Sequence, residues 1–87
     1  MSVDAEDFTD GWRFVFIGLE GADVEIGGVN PWRKNWISTG RRVVVPHPQY
    51  PTERHRLQVY TVEGTDPPLV IAAGEFSNGV WGIFVPE

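Results

Sequence analysis

Apolar residues occur along this chain in short runs that alternate with polar residues, the period typical of β-strands. The runs cover 12–19, 24–26, 41–45, 55–63 and the C-terminal stretch 69–85. Glycine, proline, asparagine and aspartate lie between them, and these residues favour turns. The pattern predicts an all-β fold: a small antiparallel meander of five or six strands that forms an open barrel or a sandwich.

The stretch 69–85 carries the strongest local signal, because two apolar runs flank the dipeptide Asn78-Gly79. This dipeptide is typical of a type I′ turn, which needs positive φ at both central residues. Since both faces of the resulting hairpin would be largely apolar, we expect it in the interior of the sheet. The expected cross-strand pairs are Ser77 with Val80, Phe76 with Trp81, Gly74 with Ile83, and Ala72 with Val85.

One short helical turn is predicted near residues 31–36. Asn30 is a suitable N-cap and Pro31 fits the first helical position. Trp32 and Trp36 are four residues apart, which would place them on one side of the turn. Further on, three prolines between 46 and 51 predict a stiff loop.

Length and composition indicate one folded domain. The chain has 87 residues, of which 41% are hydrophobic, so we predict a single β domain over 11–87 and a flexible acidic N-terminus over 1–10. There is no cysteine, which excludes disulfides and thiolate chemistry. The chain shows neither a secretion signal nor an apolar run of membrane-spanning length, and we expect a cytoplasmic, bacterial protein.

The net charge of −5 hides an uneven distribution. Acidic residues dominate 1–25 and 57–87, whereas 26–56 holds six of the seven basic residues. Such blocks of opposite charge suit self-complementarity and solubility. They also suit specific docking to another protein.

The sequence contains no recognisable catalytic motif, and we predict neither an enzyme nor a cofactor. His47, Glu53 and His55 lie close together in sequence, but their spacing matches no zinc motif, so we assign no metal. Glu75 is the most notable acid, because the predicted hairpin would bury it. A buried carboxylate needs a partner, so we expect an ion pair of Glu75 with Arg42, Arg54 or Arg56, simple exposure at a sheet edge, or a functional role.

Aromatic residues supply the other candidates. Trp32 and Trp36 stand among basic residues, a combination seen in nucleic-acid binding. The acidic charge opposes phosphate, however, so we do not expect a nucleic-acid partner. The tryptophans either fill the core or present a surface, and Tyr50 and His47 in the proline-rich loop could form an aromatic platform.

These observations predict a small non-enzymatic protein-binding domain: an accessory or regulatory subunit, or an immunity-type inhibitor whose acidic surface covers a basic partner. The alternative is a small-ligand or carbohydrate-binding β-barrel that uses Trp32, Trp36 and Tyr50. We expect another protein as the partner, or a second copy of the chain in a homodimer. The candidate binding residues are Trp32, Trp36, His47, Tyr50 and Glu75.

Overall fold

The computed structural model describes residues 11–87 and shows five β-strands in one open antiparallel sheet. The strands are β1 (Trp12–Leu19), β2 (Trp36–Pro46), β3 (Arg54–Val62), β4 (Leu69–Ser77) and β5 (Val80–Pro86). Their order across the sheet is β1-β5-β4-β3-β2. The predicted all-β class and the antiparallel meander are therefore confirmed, with β1 and β2 at the two edges. The segment 1–10, predicted to be a flexible terminus, lies outside the described residues.

Strand β2 is longer than the sequence predicted, because it begins at Trp36 rather than at Arg41. The helical turn predicted near 31–36 and the strand predicted from Arg41 would leave Gly40 in the connection between them. Instead Gly40 adopts a φ of 81° inside a bulge of β2, where the regular pairing with β3 shifts between Ser38 and Arg42. The hydroxyl of Thr39 donates a hydrogen bond to the backbone oxygen of Val59 at 2.9 Å and holds the bulge against β3.

The connection between β1 and β2 contains a 3₁₀ turn at Pro31–Arg33. The Asn30 side chain accepts a hydrogen bond from the backbone N–H of Trp32 at 3.0 Å, so the predicted N-cap is confirmed. The predicted strand 24–26 is reduced to an isolated bridge between Ile26 and Val29. Within residues 11–87 no helix is long and apolar enough to cross a membrane.

The C-terminal hairpin is interior, as predicted, since β4 and β5 lie between β3 and β1. Its turn is not the predicted type I′ turn: Gly79 has a φ of 78°, but no non-glycine residue in 11–87 has positive φ. The pairing of Ser77 with Val80 is confirmed, and the other three predicted pairs are wrong. The pairs observed are Glu75 with Trp81, Gly74 with Gly82, Ala73 with Ile83, and Ala72 with Phe84.

The shift of one residue arises at Phe76, which forms a bulge in β4. The ring of Phe76 fills the space beside Gly82, where an added Cβ would lie 2.6 Å from the ring. In the same way, a Cβ on Gly74 would lie 2.7 Å from a methyl group of Leu57. The bulge therefore pairs two glycines across the hairpin and gives large side chains room to pack over them.

Apolar residues are buried on both faces of the sheet. We call one face the valine face; its buried residues are Val43, Val45, Leu57, Val59, Ala72 and Phe84. We call the other the tryptophan face; its buried residues are Val62, Ile71, Ala73, Ile83 and Val85. Ile26, Trp32 and Trp36 pack against the tryptophan face, so the connection between β1 and β2 covers part of it.

Candidate binding surfaces

Trp32 and Trp36 lie together on the tryptophan face, as their spacing predicted. Their ring centroids are 5.1 Å apart. Trp81 joins them, because its ring lies 5.8 Å from that of Trp32 and nearly perpendicular to it. Each of the three side chains is partly buried. The sequence did not decide whether Trp32 and Trp36 are core or surface residues. Both side chains pack on the buried apolar residues of the tryptophan face, and both keep an exposed edge.

Tyr50 and His47 lie together at one end of the valine face, away from the tryptophans. The ring of His47 is 4.9 Å from that of Tyr50 and 5.2 Å from that of Phe76. His55 stacks on Phe76 with centroids 4.2 Å apart. Tyr50 remains 58% exposed. The structure therefore places Tyr50 beside the valine face and Trp32 and Trp36 on the tryptophan face, and it does not bring the three side chains together.

The proline-rich loop is ordered by its own hydrogen bonds. The backbone N–H of His47 donates to the oxygen of Glu53 at 2.9 Å, and the N–H of Glu53 donates to the oxygen of Tyr50 at 2.8 Å. The Nδ1 atom of His47 accepts a hydrogen bond from the N–H of Gln49 at 3.0 Å. Tyr50 is thus held on a fixed loop beside His47.

His47, Glu53 and His55 are the metal-ligating residue types near this loop, and they do not form a metal-binding group. Nε2 of His55 lies 3.0 Å from a carboxylate oxygen of Glu53. Nδ1 of His47 faces its own loop, as described above. Within the described part of the chain, no group of three or more histidines and carboxylates is placed to hold a metal ion.

Glu75 is exposed, and the expectation that the hairpin buries it is wrong. Because of the bulge at Phe76, Glu75 faces Trp81 rather than Gly82 and lies close to the end of β4. Its carboxylate accepts a hydrogen bond from the backbone N–H of Gly79 at 2.8 Å. No arginine pairs with it in the described residues. Glu75 therefore stabilises the turn locally and needs no ion-pair partner.

Three arginines lie on the tryptophan face where it is formed by β2 and β3. Alternation along β3 places Arg54 and Arg56 on the same side as Tyr60 and Val62. Arg42 of β2 faces Gln58 and is therefore a diagonal neighbour of Arg56. We call Arg42, Arg54 and Arg56 the arginine surface. The Cα atoms of diagonal neighbours on adjacent strands are separated by about 7–8 Å, so Arg56 lies between Arg42 and Arg54 along this face.

Within residues 11–87, no carboxylate pairs with the arginine surface. All three side chains are exposed. The carboxylate contact with a basic residue type in this part of the chain joins Glu53 to the imidazole of His55. A guanidinium group carries five N–H donors and stays charged at all physiological pH values, so each of these arginines is available to a carboxylate or phosphate of another molecule.

Two surfaces thus emerge that the sequence analysis did not define. Trp81 was missed as a neighbour of Trp32, because the predicted hairpin register placed it one residue away from its observed position. The grouping of Arg54 with Arg56 could have been read from their alternation with Leu57 and Val59. Comparison of the chain with protein-family models, curated proteins and solved structures finds no match.

Proposed function

We propose that this chain is a small non-enzymatic protein-binding domain, and that its arginine surface binds an acidic region of the partner. The observation that carries the proposal is the presence of three exposed arginines on neighbouring strands without a carboxylate partner in the described residues. In a chain of net charge −5, these arginines form a local surface of opposite sign. Guanidinium groups bind carboxylates through paired hydrogen bonds, which gives direction as well as attraction.

A protein suits this surface better than a nucleic acid does. Single-stranded nucleic acids bind where basic residues alternate with exposed aromatic rings. Across β2 and β3, Gln58 faces Arg42 and Val44 faces Arg56, whereas Trp32 and Trp36 are partly buried in their own cluster. The negative net charge adds repulsion of phosphate at long range.

The test uses two variants with the same net charge. Arg54→Glu with Arg56→Glu reverses the arginine surface, whereas Arg13→Glu with Arg33→Glu reverses two exposed arginines outside it. Wild type and both variants are immobilised and exposed to lysate of the source cells. Each captured protein is then purified, and its affinity is measured by calorimetry at low and high salt.

We expect a partner that binds wild type and the control variant with similar affinity. The Arg54→Glu, Arg56→Glu variant should bind it at least about ten-fold more weakly, a difference of ~1.4 kcal/mol. Equal weakening in both variants would mean that net charge alone governs binding. Binding of an oligothymidylate that is lost only in the arginine-surface variant would point to a nucleic-acid partner. Either result overturns the proposal.

A further inference from the structure

The tryptophan face contains a groove of about 280 Å³ beside the 3₁₀ turn. Six residues line it: Glu20, Pro31, Trp32, Lys34, Trp36 and Trp81. Pockets for drug-sized ligands have volumes of about 300–1,000 Å³, so this groove has room for one small ring. It shares no residue with the arginine surface.

The aromatic walls of the groove are held in place. Trp32 and Trp81 meet at 86°, and Trp36 is tilted by 36° from Trp32. The indole N–H of Trp36 donates a hydrogen bond to the backbone oxygen of Pro31 at 2.8 Å. The backbone of Trp32 is fixed by the cap at Asn30. Because these rings are already ordered, a ligand that stacks on them loses little side-chain entropy from the protein.

One polar atom in this cluster lacks a partner. The indole N–H of Trp32 is buried and makes no hydrogen bond, and no other buried side-chain polar atom of residues 11–87 shares this property. A buried donor without an acceptor costs about 1–3 kcal/mol, so such atoms are rare in folded proteins. This donor is closed to solvent, so a ligand in the groove would contact the faces and edges of the indole rings and not this N–H.

The charges on the rim indicate which ligand fits. Glu20 is a hydrogen-bond acceptor and Lys34 a donor, and together they are electrically neutral. A quaternary ammonium ion would gain from the tryptophan rings and from Glu20, but Lys34 would repel it. A phosphate would be attracted by Lys34 and repelled by Glu20, so the neutral rim favours neither charge. A neutral ring with hydroxyl groups can use both rim residues, while its C–H face stacks on an indole.

We propose that this groove binds a single neutral pyranoside ring. The ring stacks on the tryptophans, and its hydroxyl groups bond to Glu20 and Lys34. The site differs from the carbohydrate site expected from sequence, because Trp81 takes the place of Tyr50. The inference does not depend on the proposed protein partner.

The test follows the four tryptophan indole N–H signals by ¹⁵N NMR, assigned with single Trp→Phe variants. The probes are the methyl pyranosides of glucose, galactose, mannose and N-acetylglucosamine at millimolar concentrations. Sorbitol, an open-chain polyol, is the control ligand. We expect at least one pyranoside to shift the Trp32 and Trp36 signals saturably, with sorbitol causing no saturable shift.

A matched pair of variants tests the rim. Glu20→Gln should weaken pyranoside binding by roughly three-fold or more, whereas Glu25→Gln, which changes an exposed acid outside the groove, should not. The proposal is overturned if no pyranoside exceeds sorbitol, or if tetramethylammonium or phosphate shifts the same signals more strongly. It is also overturned if the two glutamate variants bind the pyranoside equally well.

Discussion

Two glycines determine where the large side chains of the C-terminal hairpin pack. Gly74 and Gly82 face each other across β4 and β5, and each gives its space to a neighbouring side chain, Leu57 and Phe76 respectively. The ring of Phe76 is further fixed by stacking on His55. Since a Cβ at either glycine would approach closer than 3.0 Å, a larger residue there would displace packed atoms.

A prediction at this scale concerns Glu75. Its carboxylate holds the N–H of Gly79 in the turn, so Glu75→Ala should lower the free energy of unfolding by about 1 kcal/mol. Glu75→Gln keeps an acceptor oxygen and should lose less than half as much. Urea denaturation measures both changes.

Glu25→Ala is the control for this prediction, because it removes an exposed carboxylate that makes no hydrogen bond in the described residues. Equal losses for Glu75→Ala and Glu25→Ala would contradict the role in the turn.

At the scale of single elements, the strands could be predicted from alternation, but their bulges could not. From the sequence, Gly40 marks the end of the predicted helical turn before the strand 41–45, because glycine occurs in turns as well as in bulges. The bulge at Phe76 depends on the empty space at Gly82 on the neighbouring strand, and no local pattern contains that information. The hairpin register, and with it the position of Trp81, was therefore wrong.

The candidate sites follow the same logic. The pairing of Trp32 with Trp36 depends on a local turn and could be predicted. The position of His47 could also have been derived, because it continues the alternation of Val43 and Val45 onto the valine face. For Glu75, the sequence left an ion pair and simple exposure both open, because alternation gives its face but not how far that face is covered.

The turn of the last hairpin gives a prediction at the element scale. In the dipeptide Asn78-Gly79 the positive φ falls on Gly79, so Gly79→Val should cost about 1–2 kcal/mol of stability. Asn78→Ala should change stability by less than about 0.5 kcal/mol, because Asn78 has a φ that any residue adopts. Thermal and urea unfolding of the two variants measure the difference. Similar losses of stability in the two variants would indicate the type I′ turn that was predicted from the sequence.

At the scale of the whole molecule, the open sheet leaves apolar side chains exposed on both edge strands. Leu19 at the end of β1 is 66% exposed, and Ile37 near the start of β2 is 52% exposed. Apolar residues on sheet edges favour association with another sheet edge. We therefore expect the predicted homodimer to form through the sheet edges that carry these side chains.

We predict a reversible homodimer at micromolar concentration, measured by sedimentation velocity. Ile37→Lys should shift the chain to monomer without unfolding it, because the side chain is exposed on an edge strand. Thr52→Lys places the same charge on an exposed loop and should leave the dimer intact. A monomer of 9.8 kDa at every concentration contradicts the prediction.

The pairing of β1 with β5 has a consequence for the order of events during synthesis. Within the described sheet β1 pairs only with β5, and residues 20–79 separate them. The N–H of Glu87 donates to the oxygen of Gly11 at 2.8 Å, so the pairing extends to Glu87. A ribosome therefore exposes β1 well before its hydrogen-bonding neighbour exists, while β2, β3 and β4 can already associate in sequence. Because such distant pairing is slow, docking of β1 should be a late step of folding, and the unpaired strand is the form most exposed to proteases and to aggregation.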